Sequence, residues 1–153
     1  LDDCPLVAWS DEETSSEEAD AAMQQWTTRV IVLTQACDLE QAKTRRVLVA
    51  AVRDAQNLVD QGILKGAVIR DHMRRHLVFG WYFLPEARTP TSMPESIVDL
   101  RDVHSVPRQI LHRLIAAGKR VASLPSPYRE HLAQHFAVTY MRVALPEPFG
   151  TKP

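Results

Sequence analysis

The stretch RVIVLTQACDLEQAKTRRVLVAAV, Arg29 to Val52, decides the fold. Val30 to Leu33 and Val47 to Val52 are runs of β-branched and small apolar residues of strand length, apolar on successive positions rather than at helical spacing. Strands of that kind suit the middle of a sheet covered on both faces. Between them TQACDLEQAKTRR is polar and holds Gln35, Cys37 and Asp38, a connection that opens at a strand end where side chains are reachable.

Working toward the N-terminus, PLVAW (Pro5 to Trp9) reads as a first strand. SDEETSSEEADAAMQQW then turns polar. It allows a short helix from about residue 16 to 25 with carboxylates at its positive end, and 10–27 as a whole reads as an acidic variable insertion.

Working toward the C-terminus, Arg53 to Gln61 predicts a short helix stopped by Gly62, and AVIRDHMRRHL predicts a second. LVFGWYFLP is a strand ended by Pro85, and PEARTPTSMPES is a loop. SIVDL and DVHSV predict two short strands separated by Arg101. PRQILHRLIAAG predicts a helix from Pro107 to Gly118, and KRVASL one more strand. The closing helix has Ser126 as N-cap, Pro127 at its first position, and Leu132, Phe136, Tyr140 and Val143 on one face up to Pro146. Short strands with inserted helices predict a mainly β chain with added helices, an α+β barrel rather than a doubly wound parallel sheet. The expectation is a single domain over 1–146 and a tail over 147–153.

Composition fits a globular domain: 153 residues, 45% hydrophobic and 24% charged, enough to bury a core without metal or disulfides. Cys4 and Cys37 make no disulfide framework and no CxxC clamp, so both are expected as reduced thiols. No apolar run approaches the roughly 20 residues of a membrane span, and the acidic opening is unlike a secretion signal, which predicts a cytoplasmic protein without a membrane partner. The net charge of −1 hides an asymmetry. Residues 1 to 20 carry eight acids and no base, which leaves a body of +7, the balance expected of a nucleic-acid surface shielded in cis by the acidic segment, or of a segment that recruits a basic partner.

The order of these pieces resembles the MazF/PemK-like family, small SH3-like barrels with a C-terminal helix known as endoribonuclease toxins of toxin–antitoxin systems. The resemblance rests on Arg29 before VIVLTQ, the polar ACDLEQAKTR, the strand VLVAAV, and SIVDLRDVHSVPRQIL followed by KRVASL, across about residues 4 to 143. TQACDL and PYREHLAQHFA are also similar to segments of uncharacterised bacterial proteins with a TQxCDL motif.

The resemblance implies metal-independent RNA cleavage without a cofactor. The RNA's own 2′-hydroxyl is then the nucleophile, and the protein supplies base, acid and cationic stabilisation. By position Arg29 matches the family's arginine and Gln35 a polar turn residue, while Arg53 stands where the family has a hydroxyl. A guanidinium holds phosphate but is a poor proton shuttle. RNA, an antitoxin-like protein and a second copy of the chain are the candidate partners. The alternative is a noncatalytic protein-interaction module on the same barrel.

Other constellations suggest further chemistry. Cys37 with Asp38 would serve a thiolate hydrolase if a histidine lay within reach. His72/His76 and His131/His135 are HxxxH pairs, each on one helix face, which need a further ligand to hold a metal; the bland reading, surface or half-buried histidines, is favoured and no metal is predicted. Alternation along VDLRDVHSV puts Asp99, Arg101 and Val103 on one face and Leu100, Asp102 and His104 on the other, with Asp102–His104 as an acid/base pair or a turn clasp. Arg70, Arg74 and Arg75 beside Trp81 and Tyr82 form a candidate nucleic-acid surface, and Arg108, Arg113, Lys119 and Arg120 a second basic patch.

Overall fold

A computed structural model describes residues 1–9, 23–35, 39, 44–88 and 92–141. The strands implied by the opening stretch form β3 (Val30–Val32) and β4 (Arg46–Asp54), antiparallel neighbours with Val30 opposite Ala51. β1 (Cys4–Trp9) and β2 (Met23–Thr28) pair as a separate antiparallel hairpin. β5 (Trp81–Leu84) and β6 (Ser96–Pro107) complete a four-stranded sheet in the order β3-β4-β6-β5, again antiparallel. The result is an α+β fold around a curled, half-barrel sheet.

Helices over the described residues cover it: α1 (Ala55–Asp60), α2 (Gly66–Asp71), α3 (Arg108–Ala116) and α4 (Tyr128–Tyr140), with a 3-10 turn over Met73–Arg75. Among the described residues no helix is long and apolar enough to cross a membrane.

Alternation along the strands sorts the core. Val30, Val47 and Val49 point to one face, where Cys4 and Leu6 of the hairpin and Leu111 of α3 cover them. Trp81, Phe83 and Ile97 take the same face at its other end under Ala55, Leu58, Ile69 and Met73. Ala50, Val52, Tyr82, Leu84, Val98 and Leu100 point to the opposite face, where α4 brings Leu132 and Phe136. Each face is therefore closed by different parts of the chain, which is why the central strands are apolar on consecutive positions.

Local signals explain the boundaries. The Asp54 carboxylate accepts from the backbone N–H groups of Gln56 and Asn57 and starts α1. Gly118 follows α3 with a φ of 74°, a conformation free of Cβ strain only in glycine.

Several expectations are corrected. Residues 23–25 belong to strand β2 rather than to a helix, because Met23–Thr28 finds a pairing partner in β1; residues 10–22 and the tail lie outside the described residues. SIVDL and DVHSV are one strand with a register shift instead of two strands. KRVASL forms no strand: it is irregular, with Val121 buried as an anchor. Pro127 stands before α4 rather than inside it, and Ser126 is not its cap.

Candidate functional site

The register shift in β6 builds the most organised polar cluster on the sheet. Ala50 lies opposite Val103 and Ala51 opposite Asp99, so Leu100, Arg101 and Asp102 form an irregularity in the ladder. Regular alternation would send Val103 and Leu100 to opposite faces, yet both pack with the α4 core. The bulge thus shifts the phase of the strand, placing Asp102 and His104 on the face to which β4 sends Arg53. The face assignment expected from simple alternation is corrected accordingly.

There the imidazole Nε2 of His104 lies 2.6 Å from Asp102 Oδ1, and an Arg53 terminal nitrogen reaches Asp102 Oδ2 at 3.5 Å. Trp26 of the hairpin sets its edge against His104, with ring centroids 5.5 Å apart at 80°. The His104 side chain is mostly buried, whereas Asp102 and Arg53 are half-exposed. The carboxylate fixes Nε2 as the ring's hydrogen-bonded nitrogen and leaves Nδ1 as the one able to accept a proton. The cluster lies between the two bodies that cover this face, the hairpin with α3 and the α1–α2 pair.

Comparison with protein-family models, curated proteins and solved structures finds no match.

Arg29 is placed elsewhere. It is opposite Val52, one residue before Arg53, and so takes the other face; its guanidinium forms a two-pronged pair with Asp2. Asp2 raises the Arg29 pKa, and the Arg29 hydrogen bond holds Asp2 below the usual carboxylate range. Gln35 is exposed beyond the far end of β3, six residues along from Arg29. The structure therefore does not gather Arg29, Gln35 and Arg53 at one mouth. Cys37 and Asp38 lie outside the described residues. Cys4 is fully buried, and burial pushes its thiol up, so it is a core residue.

The expected nucleic-acid surface is rearranged as well. Trp81, expected on that surface, is buried, and the Arg101 guanidinium lies over its ring, 4.2 Å from the centroid. Arg101 is in turn held by both oxygens of Asp99, at 3.1 and 3.2 Å. Arg74 pairs with Glu95 and lies over Phe83, and Arg70 pairs with its neighbour Asp71; Arg75 is exposed. Arg70, Arg74 and Glu95 line a shallow cleft with Asp54 and Gln56.

A second cluster joins His76 of the first HxxxH pair to both histidines of the second. His76 follows the 3-10 turn in a left-handed conformation (φ 54°, ψ 34°), stacked on Tyr82 at 4.4 Å and edge-on to His131 at 4.7 Å. His135 of α4 is buried and donates from Nε2 to the Val78 carbonyl at 3.2 Å. The Tyr82 hydroxyl lies 3.2 Å from His131 Nδ1. The His76 Nδ1 atom is buried without a hydrogen-bond partner, and burial followed by the two other imidazoles pushes its pKa down. His72 stays outside this cluster, at the exposed end of α2. Among the described residues no group of three or more histidine, cysteine or carboxylate side chains is arranged to hold a metal. Sequence spacing pointed to each HxxxH pair separately; what it lacked was the return of α4 over the turn before β5.

Proposed function

We propose that the protein acts on RNA, with Arg53, Asp102 and His104 as a metal-independent phosphodiester-cleaving centre. The observation that carries this reading is the His104–Asp102 contact at 2.6 Å with Arg53 on the other oxygen of the same carboxylate. It supplies what the Arg29, Gln35 and Arg53 set lacks, an imidazole that can take up and give back a proton. His104 Nδ1 takes the proton of a ribose 2′-hydroxyl as that oxygen bonds to phosphorus. The bond from phosphorus to the 5′-oxygen breaks, the leaving oxygen takes a proton from water, and a 2′,3′-cyclic phosphate remains. Asp102 steadies the imidazolium, and the outer guanidinium nitrogens of Arg53 meet the phosphoryl oxygens as charge grows there. Trp26, half-buried and set edge-on to His104, would offer its remaining exposed ring to a base. The +7 charge of the body favours a polyanion.

The test is incubation of the protein with a mixed RNA pool in EDTA. Cleavage yielding cyclic phosphate ends is expected, with a loss of about a hundredfold or more in His104→Ala. An intact pool together with no salt-dependent RNA binding refutes the proposal.

A noncatalytic interaction module is the second reading. It is favoured by the exposed apolar side chains of Leu77 and Phe79 before β5 and of Val138 and Met141 at the end of α4.

A further inference from the structure

We propose that His76, His131, His135 and Tyr82 form an acid-sensitive latch that holds α4 on the sheet and releases it as the pH falls below neutral. Little apolar burial holds that helix. Of the thirteen residues of α4 only Leu132 and His135 are buried. Much of the remaining attachment is polar and follows one stripe: His131 to Tyr82, His135 to the Val78 carbonyl, Thr139 Oγ1 accepting from Gly80 N–H at 3.3 Å, and Tyr140 donating to the Leu100 carbonyl at 2.6 Å.

The imidazoles in that stripe close on a third. Ring centroids are 4.7 Å apart for His76 and His131, 6.2 Å for His76 and His135, and 6.4 Å for His131 and His135. At such spacing a second positive charge is repelled by the first. A proton added to His76 Nδ1 meets a further obstacle, since that atom is buried with no acceptor. Tyr82 beneath it favours a cation only through its ring face, a smaller effect than burial.

The groups facing the cluster offer no counter-charge. β5 presents Tyr82; α4 presents Tyr128, His131 and His135; the 3-10 turn leads in through His72 and Arg75; and the turn before β5 adds Phe79. Among the described residues the charges that act on His76 are those of His131 and His135, both of the same sign when protonated, and no carboxylate is among them.

His76 sits in a left-handed conformation, a region in which histidine and asparagine are both enriched among non-glycine residues. Neutral His76 is compatible with the docked helix, and the free imidazole titrates at about pH 6.5. The latch is therefore closed above that value and weakens as pH falls through and below it. Release of α4 uncovers Val52, Leu84, Val98 and Leu100 on the sheet face it protects.

Hydrogen exchange on the full chain at about pH 7.5 and about pH 5.5 tests the latch. After correction for the intrinsic pH dependence of exchange, α4 amides should lose about tenfold or more of their protection at the lower pH while β4 and β6 keep theirs. His76→Asn, which suits the left-handed backbone and cannot titrate, should abolish most of that loss. Equal protection of α4 at both pH values, or a loss that His76→Asn leaves unchanged, overturns the proposal. Proton NMR of the wild-type imidazoles tests it without any variant: His76 should remain neutral at pH values where an exposed histidine is half protonated. Three independent titrations at the ordinary value would overturn it.

Discussion

Gly80→Ala probes the packing that withdraws Trp81 from the surface. Gly80 is buried at φ 81°, and a Cβ built there would lie 2.9 Å from Arg101 Cδ and 3.0 Å from its Cγ. Two costs follow. A positive φ costs a residue with a Cβ about 1–2 kcal/mol. The Arg101 stem must also move, which disturbs its stacking on Trp81, worth about 0.5–1 kcal/mol at an exposed site. Its pair with Asp99 adds about 0.2–1 kcal/mol, a small figure because the Arg101 side chain is 57% exposed. Gly80→Ala should therefore cost about 2–3 kcal/mol. Arg101→Ala, which loses the stacking and the pair but leaves the backbone relaxed, should cost about 1–1.5 kcal/mol. In the double variant the arginine's contacts can be lost only once, so its total should stay near that of Gly80→Ala, a coupling of about 1 kcal/mol. Urea unfolding followed by tryptophan fluorescence measures all three proteins. A Gly80→Ala cost under about 0.5 kcal/mol, or full additivity in the double variant, would show that Gly80 and Arg101 are not packed as described.

Further predictions address the site, the helices and the pH response. In the RNA assay Arg53→Ala should impair cleavage and reduce the salt dependence of binding, whereas Arg29→Ala, whose guanidinium is already occupied by Asp2, should change binding little; the reverse order would move the site to the other face. Leu132→Ala removes one of the two buried side chains of α4 and should cost about 2–4 kcal/mol by urea unfolding. Asp54→Ala deletes the α1 cap and should cost about 1 kcal/mol, read the same way. Because Arg29 lowers the folded pKa of Asp2, the contribution of Asp2 is present above about pH 4 and fades as the pH drops through the lowered folded value. Asp2→Asn should thus cost less than about 1 kcal/mol near neutral pH, with the difference vanishing in acid unfolding curves.

The strands of this protein were legible where a short apolar run could only satisfy its backbone in a sheet. Val30 to Leu33, Val47 to Val52 and Trp81 to Leu84 are of that kind, and the glycine after α3 marks its end by backbone freedom alone. KRVASL misled because its composition suits a strand while its residues join none of the sheets, and Met23–Thr28 misled because its partner is the distant β1.

The candidate site was legible only in fragments. Asp102 and His104 two residues apart suggest a pair, but alternation gave them the wrong neighbours, since a bulge is a property of two strands in register and not of either one. Arg53 joins them across the sheet from 49 residues away. The histidines follow the same logic: HxxxH spacing aligns His131 with His135 on α4, but their meeting with His76 depends on the helix folding back over the turn before β5. Local chemistry, carried by a few consecutive residues, determined the strands and helices; contacts between residues far apart in sequence decided which charges are cancelled, which rings are covered and which imidazoles share a site.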